Sequence, residues 1–169
     1  MRDLQHSDLI AALSYDPDTG AFVWNTRPYL PACWNTRYAG TRAGANSRGY
    51  VVIGLFGKLY EAHRLAWFYV TGKMPSGIID HADRDKGNNR FLNLRECNRR
   101  ENAVNSGRPS HNTSQFKGIT YRKDCRKWQA QIKNHGRTIY LGVFETKESA
   151  HTAYCAAGRA MGGEFFCPS

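Results

Sequence analysis

Hydrophobic positions change their period along the chain, and each change marks an element. Leu4, Leu9, Ile10 and Leu13 recur at helical spacing and predict a short opening helix. Tyr15-Asp-Pro-Asp-Thr-Gly20 is a turn signal, since proline presets φ, aspartate bonds nearby backbone and glycine accepts positive φ; Ala21–Trp24 then reads as a strand. Residues 25–49 are rich in Gly, Arg, Asn and aromatics and show no period that assigns an element. Tyr50–Leu55 and Leu59–Ala62 read as the arms of a hairpin around Phe56-Gly57-Lys58. His63–Val70 is apolar on one helical face and stops at Gly72 and Pro75, a structural helix.

Ile78 and Ile79 predict a strand that ends by presenting Asp80 and His81, followed by a polar, Gly- and Asn-rich loop and a second short strand over Leu92–Cys97. A helix should start at Asn98: Asn98 suits the N-cap, Glu101 stands at the capping-box spacing, and Asn102 and Asn105 share a face.

From Phe116 the period becomes two. Ile119 and Tyr121, then Trp128, Ala130 and Ile132, then Ile139 and Leu141 form one face of three antiparallel strands, with Asn134-His135-Gly136 as a turn. Thr146 caps a last helix whose Ala150, Ala153, Tyr154, Ala157 and Met161 form a stripe that covers the sheet. The predicted fold class is α+β: a strand–loop–strand–helix core followed by a small three-stranded antiparallel sheet packed on one helix. Gly107–Gln115 interrupts both patterns, so the predicted division is 1–106 with its core at about 77–106, a linker at 107–115, and 116–169.

Charge adds a partner. The 169 residues carry 24 Lys and Arg against 14 Asp and Glu, a net +10, which points to a polyanion. Basic and acidic side chains number 6 and 5 over residues 1–62, 9 and 5 over 63–109, and 9 and 4 over 110–169, so the excess lies in the last two-thirds. Five cysteines without a C-x-x-C pair indicate no structural zinc, no disulfide framework and a reduced compartment. Acids inside the first apolar stretch argue against a signal peptide, and no apolar run is long enough for a bilayer. The expectation is a cytoplasmic protein with double-stranded DNA as partner, no membrane and no evident protein partner.

The stretch from Gly77 to Ser106 resembles the HNH endonucleases, above all the free-standing phage and intron-encoded homing type. Their pattern of Asp or His followed by His, then Asn, then Asn or His is matched by Asp80-His81, Asn93 and Asn102. The segments YDPDTGAFVW and AHRLAW extend the resemblance over most of residues 1–106. It implies a ββα-metal core. The chemistry suits these residue types: hydrolysing a phosphodiester needs an activated water, a charge sink for the transition state and help for the leaving oxygen. His81 offers an imidazole that can take the proton from water, while the Asp80 carboxylate and Asn102 amide oxygens can hold one magnesium or manganese ion. Asn93 is cast as a brace for the loop. Asp83 and Asp85 read as solvated loop acids that the pattern does not need. His63 and Arg64 suit phosphate contact and a structural role equally. The bland alternative, an Asn-rich turn with a capping carboxylate, does not account for strand, loop and capped helix in succession.

The last fifty residues, with FKGITYRKDCRKWQAQI, IYLGVFETKESAHTAY and AAGRAMGG in order, resemble the APETALA/ethylene-response-factor type of DNA-binding domain. That resemblance implies a sheet laid in the major groove, with Lys117, Arg122, Gln131, Lys133 and Tyr140 as contacts, and Lys123, Arg126 and Arg137 adding phosphate binding. Thr120 and Thr138 stand where that family commonly has arginine, so base preference is not carried over. Trp128 has inward parity and reads as core. Together these readings predict a sequence-directed, metal-dependent homing endonuclease. One Asp-His-Asn-Asn set and no heptad stretch predict a monomer that nicks one strand. The rivals are a DNA-binding regulator with a vestigial motif and a nonspecific degradative or repair nuclease.

Overall fold

Leu9 and Ala12 turn inward on α1, His6–Ala12, and the chain passes straight into β1, Leu13–Asp16. The computed structural model describes residues 3–105, 112, 114–134, 136–163 and 166. They pack as two units, Met1–Cys97 and Asn98–Ser169.

In the first unit β1 pairs antiparallel with β2, Ala21–Trp24, so Tyr15 and Asp16, expected in a turn, belong to a strand. The turn itself is closed by Asp16, whose carboxylate accepts from the Asp18 N–H at 3.0 Å and the Thr19 hydroxyl at 2.6 Å. The unassigned segment 25–49 contains α2, Ala32–Tyr38, and β3, Ala45–Ser47. No residue of α2 is buried, which is why its sequence has no apolar stripe. It is tied down instead by Arg27, whose guanidinium lies 4.8 Å from the Trp24 ring centre and 3.8 Å from that of Trp34.

β4, Tyr50–Leu55, and β5, Lys58–Glu61, form the expected hairpin, with β3 on the other side of β4. Its two-residue turn, Phe56-Gly57, has φ of +50° and +77°, the twist a tight hairpin needs. α3, Ala62–Thr71, buries Leu65, Ala66 and Phe68 against α1 and ends at Gly72 in the left-handed region. β6, Ile78–His81, and β7, Leu94–Cys97, make a separate two-stranded ribbon, whose Ile79 and Leu94 join the same core.

The second unit starts with α4, Arg99–Asn105, and its capping box is formed: the Glu101 N–H donates to Asn98 Oδ1 at 3.0 Å and the Asn98 N–H to Glu101 Oε2 at 2.8 Å. The 107–115 linker and the turn at His135 fall largely outside the described residues. The units part at Cys97, earlier than the composition-based division, because α4 packs with α5, Lys147–Gly162. Strands β8, Ile119–Arg122, β9, Lys127–Asn134, and β10, Arg137–Phe144, form a sheet in the order β10-β9-β8. Ile119, Ala130 and Ile132 pack on Ala150 and Tyr154 of α5, with Trp128 at the margin of that core. Met161 and Tyr121 stay exposed, although their spacing assigns them to the apolar face. Among the described residues no helix is long and apolar enough to cross a membrane.

Gly20 is the tightest joint of the first unit. It has φ of +73°, and a Cβ there would lie 2.5 Å from Asn89 C and Arg90 N. Gly40, at φ +79°, has nothing within 4 Å. Gly40→Ala should therefore cost only the left-handed strain of about 1–2 kcal/mol, and Gly20→Ala more than twice that, measured as urea unfolding free energies.

Candidate active site and nucleic-acid face

The β6–β7 ribbon pairs Asp80 with Arg95 and His81 with Leu94. Directly opposed residues share a face and consecutive ones do not, so Asp80 and His81 leave the ribbon on opposite sides. Asp80 is 6% exposed, and its Oδ2 accepts from Arg95 Nε and Nη2, both at 2.9 Å. This cross-strand ion pair is invisible until the register is known. His81, 5% exposed, meets a second set of groups. Its Nε2 is 3.3 Å from Asn89 Oδ1, and its ring lies edge-on to His63 with centroids 5.0 Å apart and 6.2 Å from Tyr50.

The loop between the strands has no apolar core, and hydrogen bonds hold it. Asn93 accepts from the Asp83 N–H at 3.0 Å and donates through Nδ2 to Asp83 Oδ1 at 2.9 Å and to the Asn88 carbonyl at 2.8 Å. Asp83 also accepts from Asn88 Nδ2 at 2.6 Å and the Asp85 N–H at 2.9 Å, while Asp85 Oδ1 accepts from the Gly87 N–H at 2.9 Å. Burial alone would raise the Asp83 pKa, but these bonds and the His81 charge outweigh it and hold the carboxyl below its ordinary range. Asp83 and Asp85 thus organise the loop rather than simply facing solvent.

Arg64 donates from Nη1 to the Gly77 carbonyl at 3.0 Å and from Nη2 to that of Pro75 at 2.9 Å, fixing the chain as it enters β6. His63, on the same helix, sits 3.3 Å from Glu61 Oε2 and against His81. Lys86 Nζ lies 4.7 Å from the centre of the Tyr50 ring at the rim.

Asp80, His81 and Asn93 all belong to the first unit. Asn102 is half-buried on α4 of the second, with its N–H bonded to the Asn98 carbonyl at 3.1 Å. Among the described residues no three His, Cys, Asp or Glu side chains surround a common metal position. Arg95 fixes the Asp80 carboxylate on one oxygen, and carboxylate oxygens are hard donors of the kind a divalent cation takes.

In the second unit, register puts Thr120, Arg122, Gln129, Gln131, Lys133, Thr138 and Tyr140 on the sheet face away from α5. Arg122 donates to Asp124 and, at 3.2 Å, to Gln129 Oε1; Gln129 Nε2 reaches Gln131 Oε1 at 3.2 Å. The hydrogen bond and charge of Arg122 hold the Asp124 carboxyl down at about 2. Lys123, Arg126 and Arg137 are exposed, Tyr140 is 58% exposed, and Lys117 is half-buried.

The family model for HNH endonuclease matches residues 60–104, the stretch that holds the two-stranded ribbon with Asp-His at the end of its first strand and the loop tied by Asn93. Over 83 residues the chain is 32% identical to Protein 3.8 of Escherichia phage T7, covering 48% of this chain and 69% of that protein. The chain belongs to the family of that phage protein and carries an HNH endonuclease domain, which assigns it nuclease activity on DNA. HNH nucleases generally use a divalent metal ion. A stretch of 46 residues is 35% identical to APETALA2-like protein 2 of Oryza sativa subsp. indica, covering 27% of this chain and 11% of that protein. The AP2-like ethylene-responsive transcription factor TOE2 of Arabidopsis thaliana matches at the same identity over 10% of its length, so this chain spans about a tenth of these plant relatives. No solved structure matches.

Burial, then the charges of His81 and Arg64, lowers the His63 pKa from 6.5 to about 4. Between those values the unfolded chain binds a proton that the folded one refuses, so stability falls as pH drops through that window. The loss by pH 4.5 should be roughly 2–3 kcal/mol. Urea unfolding at pH 7 and pH 4.5 should show this component in the wild type and its absence in His63→Phe.

Proposed function

We propose that the chain is a metal-dependent, sequence-directed DNA endonuclease of the homing type that nicks one strand. The observation that carries this reading is the HNH match itself: residues 60–104 contain Asp80, His81, Asn93 and Asn102 in order. In this reading β6, β7 and α4 form the ββα-metal arrangement within a catalytic domain of residues 1–106. Residues 116–169, joined through 107–115, read the site.

His81 accepts the proton of the attacking water. Asp80 and Asn102 are the residues that would hold magnesium or manganese, and the ion, when bound, supplies Lewis-acid stabilisation of charge at the scissile phosphate. Asn93 and Asp83 keep the loop in one shape so that His81 does not wander. Lys117, Arg122, Gln131, Lys133 and Tyr140 face the groove, and Lys123, Arg126 and Arg137 take phosphates. The exposed polar face opposite α5 supports this assignment. The protein works as a monomer on double-stranded DNA in the cytoplasm of a bacterial host. The charged sheet face favours this over a nonspecific degradative nuclease, and an intact Asp-His-Asn-Asn set favours it over a regulator.

His81→Ala should lower the cleavage rate by ~10²–10⁴-fold and leave DNA affinity within about twofold, read by single-turnover cleavage and by gel shift in calcium. Replacing Lys123, Arg126 and Arg137 together with alanine should reduce the slope of log affinity against log salt by about 2–3 units, since each lost phosphate contact removes ~0.9. Supercoiled plasmid bearing the site should pass to open circle before any linear DNA forms. Direct conversion to linear product by a sedimenting dimer would contradict the monomer reading.

A further inference from the structure

Tyr15 on β1 is 8% exposed and its hydroxyl donates to the main-chain carbonyl of Asn89 at 2.7 Å, across 74 residues of sequence. Burial, then the Asp16 charge, raises the phenol above its ordinary range and keeps it a donor. The hairpin turn that follows grips the same stretch: the Phe91 N–H donates to the Pro17 carbonyl at 3.0 Å, and Gly20 comes so close to the Asn89–Arg90 peptide that a Cβ there would lie 2.5 Å from Asn89 C and Arg90 N. Asn89 is 3% exposed and its Oδ1 faces His81 Nε2 at 3.3 Å. The amide thus sits between an anchored backbone and the imidazole, with His63 and Tyr50 closing other sides of the ring.

We propose that Asn89 is a positioning residue for His81, and that the β1–β2 hairpin holds Asn89 in register through Tyr15. The amide oxygen accepts the Nε2 proton of the neutral imidazole, which fixes the tautomer and the plane of the ring. The β1–β2 hairpin, remote in sequence, therefore sets the orientation of the base. This rests on the reading of His81 as the general base, but the orientation itself is measurable without any cleavage.

The test uses the full-length protein labelled with ¹⁵N at pH 8, where an ordinary histidine is neutral, and reads long-range ¹H–¹⁵N correlations of His81, assigned by loss of its signals in His81→Gln. Wild type should show the Nε2–H tautomer alone. Asn89→Ala should show both tautomers, and Asn89→Asp, which keeps an acceptor in place, should restore the single one. On cleaved DNA, Asn89→Ala should lower kcat about 10- to 100-fold with KM unchanged. Tyr15→Phe keeps the ring packed on Phe22, with centroids 4.7 Å apart, and should lower kcat about 3- to 10-fold while admitting the second tautomer. That variant carries the test should Asn89→Ala fail to fold. A wild-type tautomer pattern in both variants overturns the proposal. The expected tautomer changes in a protein that cuts no DNA would uphold the positioning and sink the nuclease reading instead.

Discussion

One asparagine side chain closes the loop on which the site depends. Asn93 bonds the Asp83 N–H, the Asp83 carboxylate and the Asn88 carbonyl, and its own carbonyl accepts the Ala82 N–H at 2.9 Å. Residues 82–90 are mostly exposed and have no hydrophobic content to hold them. Hydrogen bonds worth about 1 kcal/mol each must do it, and four converging on one residue give the loop a single shape. Without that shape the two strands could still pair, but His81 would lose its fixed surroundings.

Two different environments then grow from adjacent residues. The pleat sends Asp80 to Arg95 and His81 to Asn89 and His63. A buried carboxylate needs a charged partner, and Arg95 provides one through two nitrogens on a single oxygen. A buried imidazole needs its ring nitrogens placed, and a neutral amide does so without adding charge. His63, kept neutral by burial, adds contact but no competing cation.

The strongest features of the sequence were those in which a local rule and a tertiary role coincide. Ile78-Ile79 preceding Asp80-His81, the Asn98/Glu101 box and the period-two strands of the last fifty residues each formed as their patterns predict. β1 was hidden because Tyr15 and Asp16 belong at once to a strand and to the turn that follows. α2 and β3 were hidden because neither buries an apolar face; a guanidinium between two tryptophans leaves no periodic trace. Asn88, Asn89 and Asn93 look alike in a polar run, and only packing decides that Asn89 is buried against His81. The Asp80–Arg95 pair likewise requires the β6–β7 register, which no single-strand pattern contains.

The most direct test of the account is to map the DNA ends that the full-length protein produces on phage-type genomic DNA, with magnesium and with chelator. The account predicts discrete, one-strand breaks at few positions, present with magnesium, abolished by chelator and absent from His81→Ala. Breaks spread evenly over the DNA, or breaks at the same positions in chelator, would contradict it.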